Sequence, residues 1–137
     1  MAKEVVLSCR QIVEGVAEGE ALVTNDAISF MGSVNPQTGY IIERGHEIEG
    51  ACIKDKVLVF PFSKGSTGGS YMLYETVKNG VGPSCIINTE AESIVVIGAI
   101  ISDLPMVDKV DVGSISTGDY VYLDATNETV KVIKAGP

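Results

Sequence analysis

The stretch Val57-Leu58-Val59-Phe60-Pro61-Phe62-Ser63-Lys64-Gly65-Ser66-Thr67-Gly68-Gly69-Ser70-Tyr71-Met72-Leu73-Tyr74-Glu75-Thr76-Val77 sets the architecture of this chain. Val57-Leu58-Val59-Phe60 is a short apolar run that reads as a strand. Residues 69–78 read as a helix, with Gly80 placed to stop it at C′. The linking loop is built from glycines and hydroxyls. A strand that runs through such a loop into a helix aims backbone N–H groups and the positive end of the helix dipole outward. That is an anion site, and it also favours a side-chain oxyanion. The other reading of the same spacing is a turn closed by an N-cap serine. Neither G-x-x-x-x-G-K-[ST] nor G-x-G-x-x-G is present, so no standard nucleotide loop is implied.

Downstream, residues 85–87 read as a buried strand in which Cys85 is a small core residue. Thr89-Glu90-Ala91-Glu92 matches a capping box, with Thr89 as N-cap and Glu92 at N3. The next run, 93–101, is apolar all round and rich in β-branched residues, which by propensity alone favour a strand. The cap before it and Pro105 after it instead predict a buried helix, completing a parallel β-α-β-α-β unit. Upstream, Val5-Val6-Leu7 and the end of Glu18-Gly19-Glu20-Ala21-Leu22-Val23 read as strands. Asn35-Pro36-Gln37-Thr38-Gly39 carries turn chemistry, and Tyr40-Ile41-Ile42 follows as a short strand. At the far end, residues 120–123 and 129–133 form a hairpin. The expected fold is a mixed α/β single domain over residues 1–137, with a central parallel βαβαβ unit flanked by β structure.

Ligands of parallel units gather at the carboxyl ends of the strands, which is where 65–70 falls. In that loop Ser66 is the candidate catalytic residue, since its hydroxyl needs neighbouring N–H groups to act as an alkoxide. Lys64 adds positive charge for an anionic substrate, with Gly65, Thr67 and Gly68 as further substrate-binding candidates. Thr67 and Ser70 also suit N-cap or backbone-bonding roles. Gly68 and Gly69 would permit unusual φ and leave the N–H groups unobstructed. The single histidine, His46, reads as a satisfied loop residue or as a base. Asp103 reads as a carboxylate in a helix-ending turn or as one reaching the same strand-end surface.

Composition narrows the partners. The 137 residues carry a formal charge of −8, are 45% hydrophobic and 20% charged, and so describe a folded domain. That balance argues against nucleic acid, whose phosphates need clustered Lys and Arg. No apolar run approaches the roughly 20 residues of a membrane span. Met1-Ala2-Lys3-Glu4 lacks a signal-peptide core, which predicts a cytoplasmic chain. Cys9, Cys52 and Cys85 are odd in number and widely spaced, so neither a metal site nor a disulfide framework within this chain is expected.

Taken together, Val59-Phe60-Pro61, Lys64-Gly65-Ser66-Thr67, Gly69-Ser70-Tyr71, Lys78-Asn79-Gly80-Val81 with Pro83, and Gly98-Ala99 with Pro105 resemble the aconitase-X swivel-domain family. Residues 32–39 and Glu18-Gly19-Glu20-Ala21 fit the same pattern, so the likeness covers nearly the whole chain. The resemblance implies a swivelling β/β/α fold like the small domain of aconitases. It also implies a separate large catalytic subunit that bears a 4Fe-4S cluster. The implied reaction is a hydro-lyase step, dehydration of (R)-5-phosphomevalonate to trans-anhydromevalonate 5-phosphate in an isoprenoid pathway, with Ser66 as proton acceptor. Two other readings stay open: a dehydratase of the same type for another hydroxy acid, and a non-enzymatic anion-binding module.

Overall fold

The structure, a computed structural model, describes residues 3–65 and 67–136. Its strands are β1 (Glu4–Ser8), β2 (Arg10–Val13), β3 (Val16–Val23), β4 (Val57–Phe60), β5 (Cys85–Asn88), β6 (Met106–Asp108), β7 (Tyr120–Asp124) and β8 (Thr129–Ile133); its helices are α1 (Gly69–Lys78) and α2 (Ser93–Ile101). The strands form one eight-stranded sheet in the order β1-β8-β7-β3-β4-β5-β6-β2. The neighbours β3, β4, β5 and β6 run parallel, while β2, β7, β8 and β1 pair antiparallel at the two sides. Strand β3 divides its length between the two halves. Residues 16–20 pair with β7 and residues 21–23 pair with β4.

Side chains alternate between two cores, which is why the central strands read as unbroken apolar runs. Val57 and Val59 of β4, Cys85 and Ile87 of β5, and Val107 of β6 face the antiparallel half, against Val121, Leu123, Val130 and Val132. Leu58 and Phe60, Ile86 and Met106 face the helices and the 28–53 segment, meeting Leu73, Val95, Ala99, Ile28, Ile41 and Ile53. The result is three layers: antiparallel strands, parallel strands, and helices.

Residues 93–101 are helical in spite of their β-branched content. Joining the parallel strands β5 and β6 requires a crossover, and a helix is the compact way to make one. Val95, Gly98 and Ala99 face inward on α2, but its outer face is not buried as the sequence suggests: Ile97, Ile100 and Ile101 are each more than half exposed. At the end of α1, Asn79 is the C-cap and Gly80 takes φ 78°, the left-handed stop expected there.

Two further local expectations are corrected. Tyr40-Ile41-Ile42 is not a strand: Ile41 N–H donates to Ala51, Gly50 N–H to Ile41, and Ile42 N–H to Ser33, so the backbone bonds scatter and no ladder forms. Only isolated bridges, Val34 with Ile41 and Tyr40 with Cys52, mark the place. The turn before it does form, with Asn35 Oδ1 accepting from Gln37 N–H at 2.9 Å. The capping box is absent, because Thr89 and Glu90 N–H are both held by Pro61 O at 3.0 Å and α2 starts only after Glu92. Thr89 Oγ1 instead donates to Val110 O. Two strands, β2 and β6, carry no distinct sequence signal, being four and three residues long.

The helices touch at Gly98. A Cβ there would stand 3.1 Å from Ser70 O and 3.0 Å from Leu73 Cδ2. Gly98→Val is therefore expected to cost about 1–3 kcal/mol by overpacking. A urea midpoint unchanged from wild type would contradict this close approach.

Candidate functional site

At the carboxyl end of β4 the chain does not turn away at once. Pro61 O accepts from the two N–H groups that follow β5, Thr89 and Glu90. Ile28 N–H donates to Phe62 O, Lys64 N–H donates to Ile28 O, and Ile28 bridges Ser63 in parallel. The entrance to the loop is thus a one-rung extension of the sheet. Gly65 then takes φ +100°, and a Cβ on it would stand 2.3 Å from Ser29 Oγ. Both facts demand glycine. Thr67 is exposed, Gly68 is the N-cap of α1, and Gly69 is buried.

A polar chain anchors this loop from the side. Ser29 N–H donates to Ser33 Oγ at 2.9 Å, and the Ser33 hydroxyl donates to Glu43 Oε1. Glu43 Oε2 accepts from Lys64 Nζ at 2.7 Å. The Lys64 hydrogen bond, with the one from Ser33, holds the Glu43 carboxyl below the usual carboxylate range. Ser33 is fully buried, whereas Lys64 is 44% exposed in its side chain.

Both helices start at this edge without a side-chain cap and without an acidic residue in the first turn. Their starts are tied together, since the Ser70 hydroxyl donates to Ile94 O. Two helix N-termini side by side leave backbone donors and positive dipole ends for an anion. Asn88, at the end of β5, is fully buried and donates to Phe60 O at 2.8 Å, while its Oδ1 has no partner among the described residues. Beyond it, Arg10 grips the buried Asp108 through two hydrogen bonds of 2.8 and 2.7 Å, and Ala91 N–H donates to the same carboxylate. Burial opposes the charge on Asp108, but Arg10 and Ala91 outweigh it and its carboxyl is held below the ordinary range.

The structure brings Lys64, Gly65, Thr67 and Gly68 together at the strand ends. Ser66, the candidate proton acceptor, lies outside the described residues. Gly68 has ordinary helical angles, φ −64° and ψ −13°, so the unusual φ expected at 68 belongs to Gly65. Thr67 and Ser70 are not N-caps; Ser70 is the backbone-bonding residue just described. Asp103 does not reach this surface. It follows α2 in a turn, and the parallel crossover puts that helix end at the opposite edge of the sheet. His46 is a satisfied loop histidine: Nε2 donates to Ala27 O at 2.9 Å and Nδ1 accepts from Ile48 N–H. Sequence reasoning missed Ser29, Ser33, Glu43 and the Arg10–Asp108 pair. Only Asn88 left a trace, as a polar residue closing an apolar strand.

The cysteines are dispersed. Burial, with help from Glu128, pushes the Cys9 thiol up to about 11, and burial pushes Cys85 up to about 12. Such thiols resist the thiolate form a metal needs. Among the described residues no group of three or more His, Cys, Asp or Glu could hold a metal ion. No helix among them is long and apolar enough to cross a membrane. A groove of about 460 Å³ opens elsewhere, lined by Val16, Glu18, Tyr122, Asp124, Thr129 and Lys131, and contains none of the candidate residues.

A mixed sheet with two crossover helices and a glycine-serine loop at the parallel strand ends is the architecture of an aconitase-type small domain. The fold matches the crystal structure of Thermococcus kodakaraensis aconitase X in its holo-form, with a TM-score of 0.93 and 48% identity over 95% of this chain and 99% of that one. Residues 6–132 match the family described as aconitase X swivel domain, and the chain belongs to that family. It is similar to the phosphomevalonate dehydratase small subunit of Methanococcoides burtonii, 49% identical over 93% of this chain and 95% of that protein. The protein of the same name from Thermococcus kodakarensis is 48% identical over 95% and 98%.

Removing Arg10 would leave Asp108 charged, buried and short of its main partner. Arg10→Met is expected to lower the urea midpoint at neutral pH. A depressed carboxyl stabilises the fold above its unfolded pKa and loses that contribution as pH falls through the folded one. The gap between wild type and variant should therefore narrow below the ordinary carboxylate range, roughly pH 4. Urea titrations at several pH values check this; a gap independent of pH would contradict it.

Proposed function

We propose that this chain is the small subunit of a two-subunit hydro-lyase that dehydrates (R)-5-phosphomevalonate to trans-anhydromevalonate 5-phosphate. The observation that carries this reading is similarity, along almost the full length of both chains, to proteins bearing that subunit's name. The loop supports it, because two uncapped helix starts and Lys64 converge where an anionic substrate would be received.

In this reading Ser66 is the proton acceptor. Its oxygen takes the proton from the carbon next to the substrate carboxylate, and the released electron pair forms the carbon–carbon double bond. Hydroxide leaves the adjacent carbon, so proton and hydroxide together account for the water lost. Lys64, Gly65, Thr67 and Gly68 contact the substrate anion, chiefly through backbone N–H groups of the loop and the first turn of α1. The cysteines of this chain do not fit a 4Fe-4S cluster, and we place that group on the large subunit. The exposed apolar face of α2, with Ile97, Ile100 and Ile101, supports a life in an assembly. The chain acts as one domain over residues 1–137, in the cytoplasm, and is inactive without its partner.

Ser66→Ala is expected to leave folding and association intact and to lower kcat of the reconstituted pair about 10²–10⁴-fold. Activity within a few-fold of wild type would overturn the assignment. Anaerobic iron–sulfur reconstitution of the isolated chain should yield no bound cluster by iron analysis and visible absorption. A stoichiometric cluster on the lone chain would remove the two-subunit division of labour.

A further inference from the structure

The role of Glu43 follows from what already holds the loop. Its backbone is set by the Ile28 bonds and by the packing of Gly65 against Ser29. The Glu43–Lys64 pair is not needed for that. What the pair does is fix the direction of a long, half-exposed side chain. An ammonium has three N–H donors, and the contact with Glu43 accounts for one of them. Glu43 is itself held from behind by the hydroxyl of fully buried Ser33, so its carboxylate is a rigid anchor.

We propose that Glu43 is a positioning residue that orients the Lys64 ammonium, through the buried Ser33 hydroxyl behind it, to receive an oxyanion of the substrate. This rests on the function proposed above. A free lysine side chain must be ordered when an anion binds, and Glu43 does that ordering beforehand. The opposite effect also exists, since a carboxylate beside the ammonium repels an incoming anion. The two effects predict opposite signs on removing the charge. If Glu43 only neutralises Lys64, Glu43→Gln tightens anion binding; if it orients Lys64, the same change weakens it.

The test uses the reconstituted two-subunit protein with Glu43→Gln, Lys64→Met and the double variant. Expected results are a KM roughly tenfold higher for each single variant and kcat within about twofold. The double variant should be no worse than the poorer single one, because Glu43 acts through Lys64. Calorimetric binding of inorganic phosphate and of acetate, which needs no turnover, should weaken in the same pattern and tell which oxyanion Lys64 receives. Tighter binding by Glu43→Gln, additive losses, or equal or absent binding of both probes by all four proteins would overturn the proposal. A Glu43→Gln protein that lost stability without a change in KM or probe affinity would also overturn it. Ser66→Ala in the same assay separates the two levels: full kcat there would sink the proposed reaction, while the probe-binding pattern would still decide the role of Glu43.

Discussion

Everything in this molecule is arranged around a strand with no free face. All four side chains of β4 are fully buried, and they alternate between two cores, Val57 and Val59 to one side, Leu58 and Phe60 to the other. Each is worth about 1.5–3 kcal/mol of burial, so the strand cannot shift register without losing both cores at once. Its end is therefore a fixed point. Pro61, which has no N–H to satisfy, leaves the core there and lends its carbonyl to the residues that follow β5. The exits of the two strands are bound to one another before the loop begins.

In the proposed function, that fixed edge is what lets an acidic chain present an anion site. The net charge of −8 would repel an anionic ligand at long range. Helix-terminal donors act over little more than a turn, and salt screens the distant carboxylates. The cations at the edge are all committed: Lys64 to Glu43, Lys109 to Glu90, and Arg10 to Asp108. Positive potential at the loop thus comes mainly from backbone groups whose geometry the sheet holds. A site built in this way loses little ordering entropy when its ligand arrives.

The division between two chains has the same physical logic. In the proposed function, a proton acceptor on this small domain and the remaining chemistry on a partner make the reaction depend on how the two surfaces meet. The exposed isoleucines of α2 are the kind of apolar surface that monomeric domains seldom leave uncovered. Close packing of α1 on α2 at Gly98 and the Ser70–Ile94 bond couple that helix to the loop-bearing one. Helix α1 and this outer helical face thus belong to one packed layer.

The sequence by itself determined strands β4 and β5, the helix after each, the terminal hairpin, the stop at Gly80 and the Asn35 turn. These depend on the periodicity of contiguous residues and on the backbone preferences of Gly, Pro and Asn, which travel with the chain. Tertiary structure decided the rest. Residues 40–42 have strand composition, but their backbone groups find partners in three different places. α2 begins at Ser93 rather than just after Thr89, where Pro61 O holds the N–H groups of Thr89 and Glu90 and Asp108 holds that of Ala91. Gly65, not Gly68, carries the positive φ, at the place where the chain passes against Ser29. Glu43 meets Lys64 across 21 positions, a pairing with no local signal. A hydrogen bond or ion pair of that kind exists only once the loop between its partners has closed, and closure is set by the cores on either side of β4.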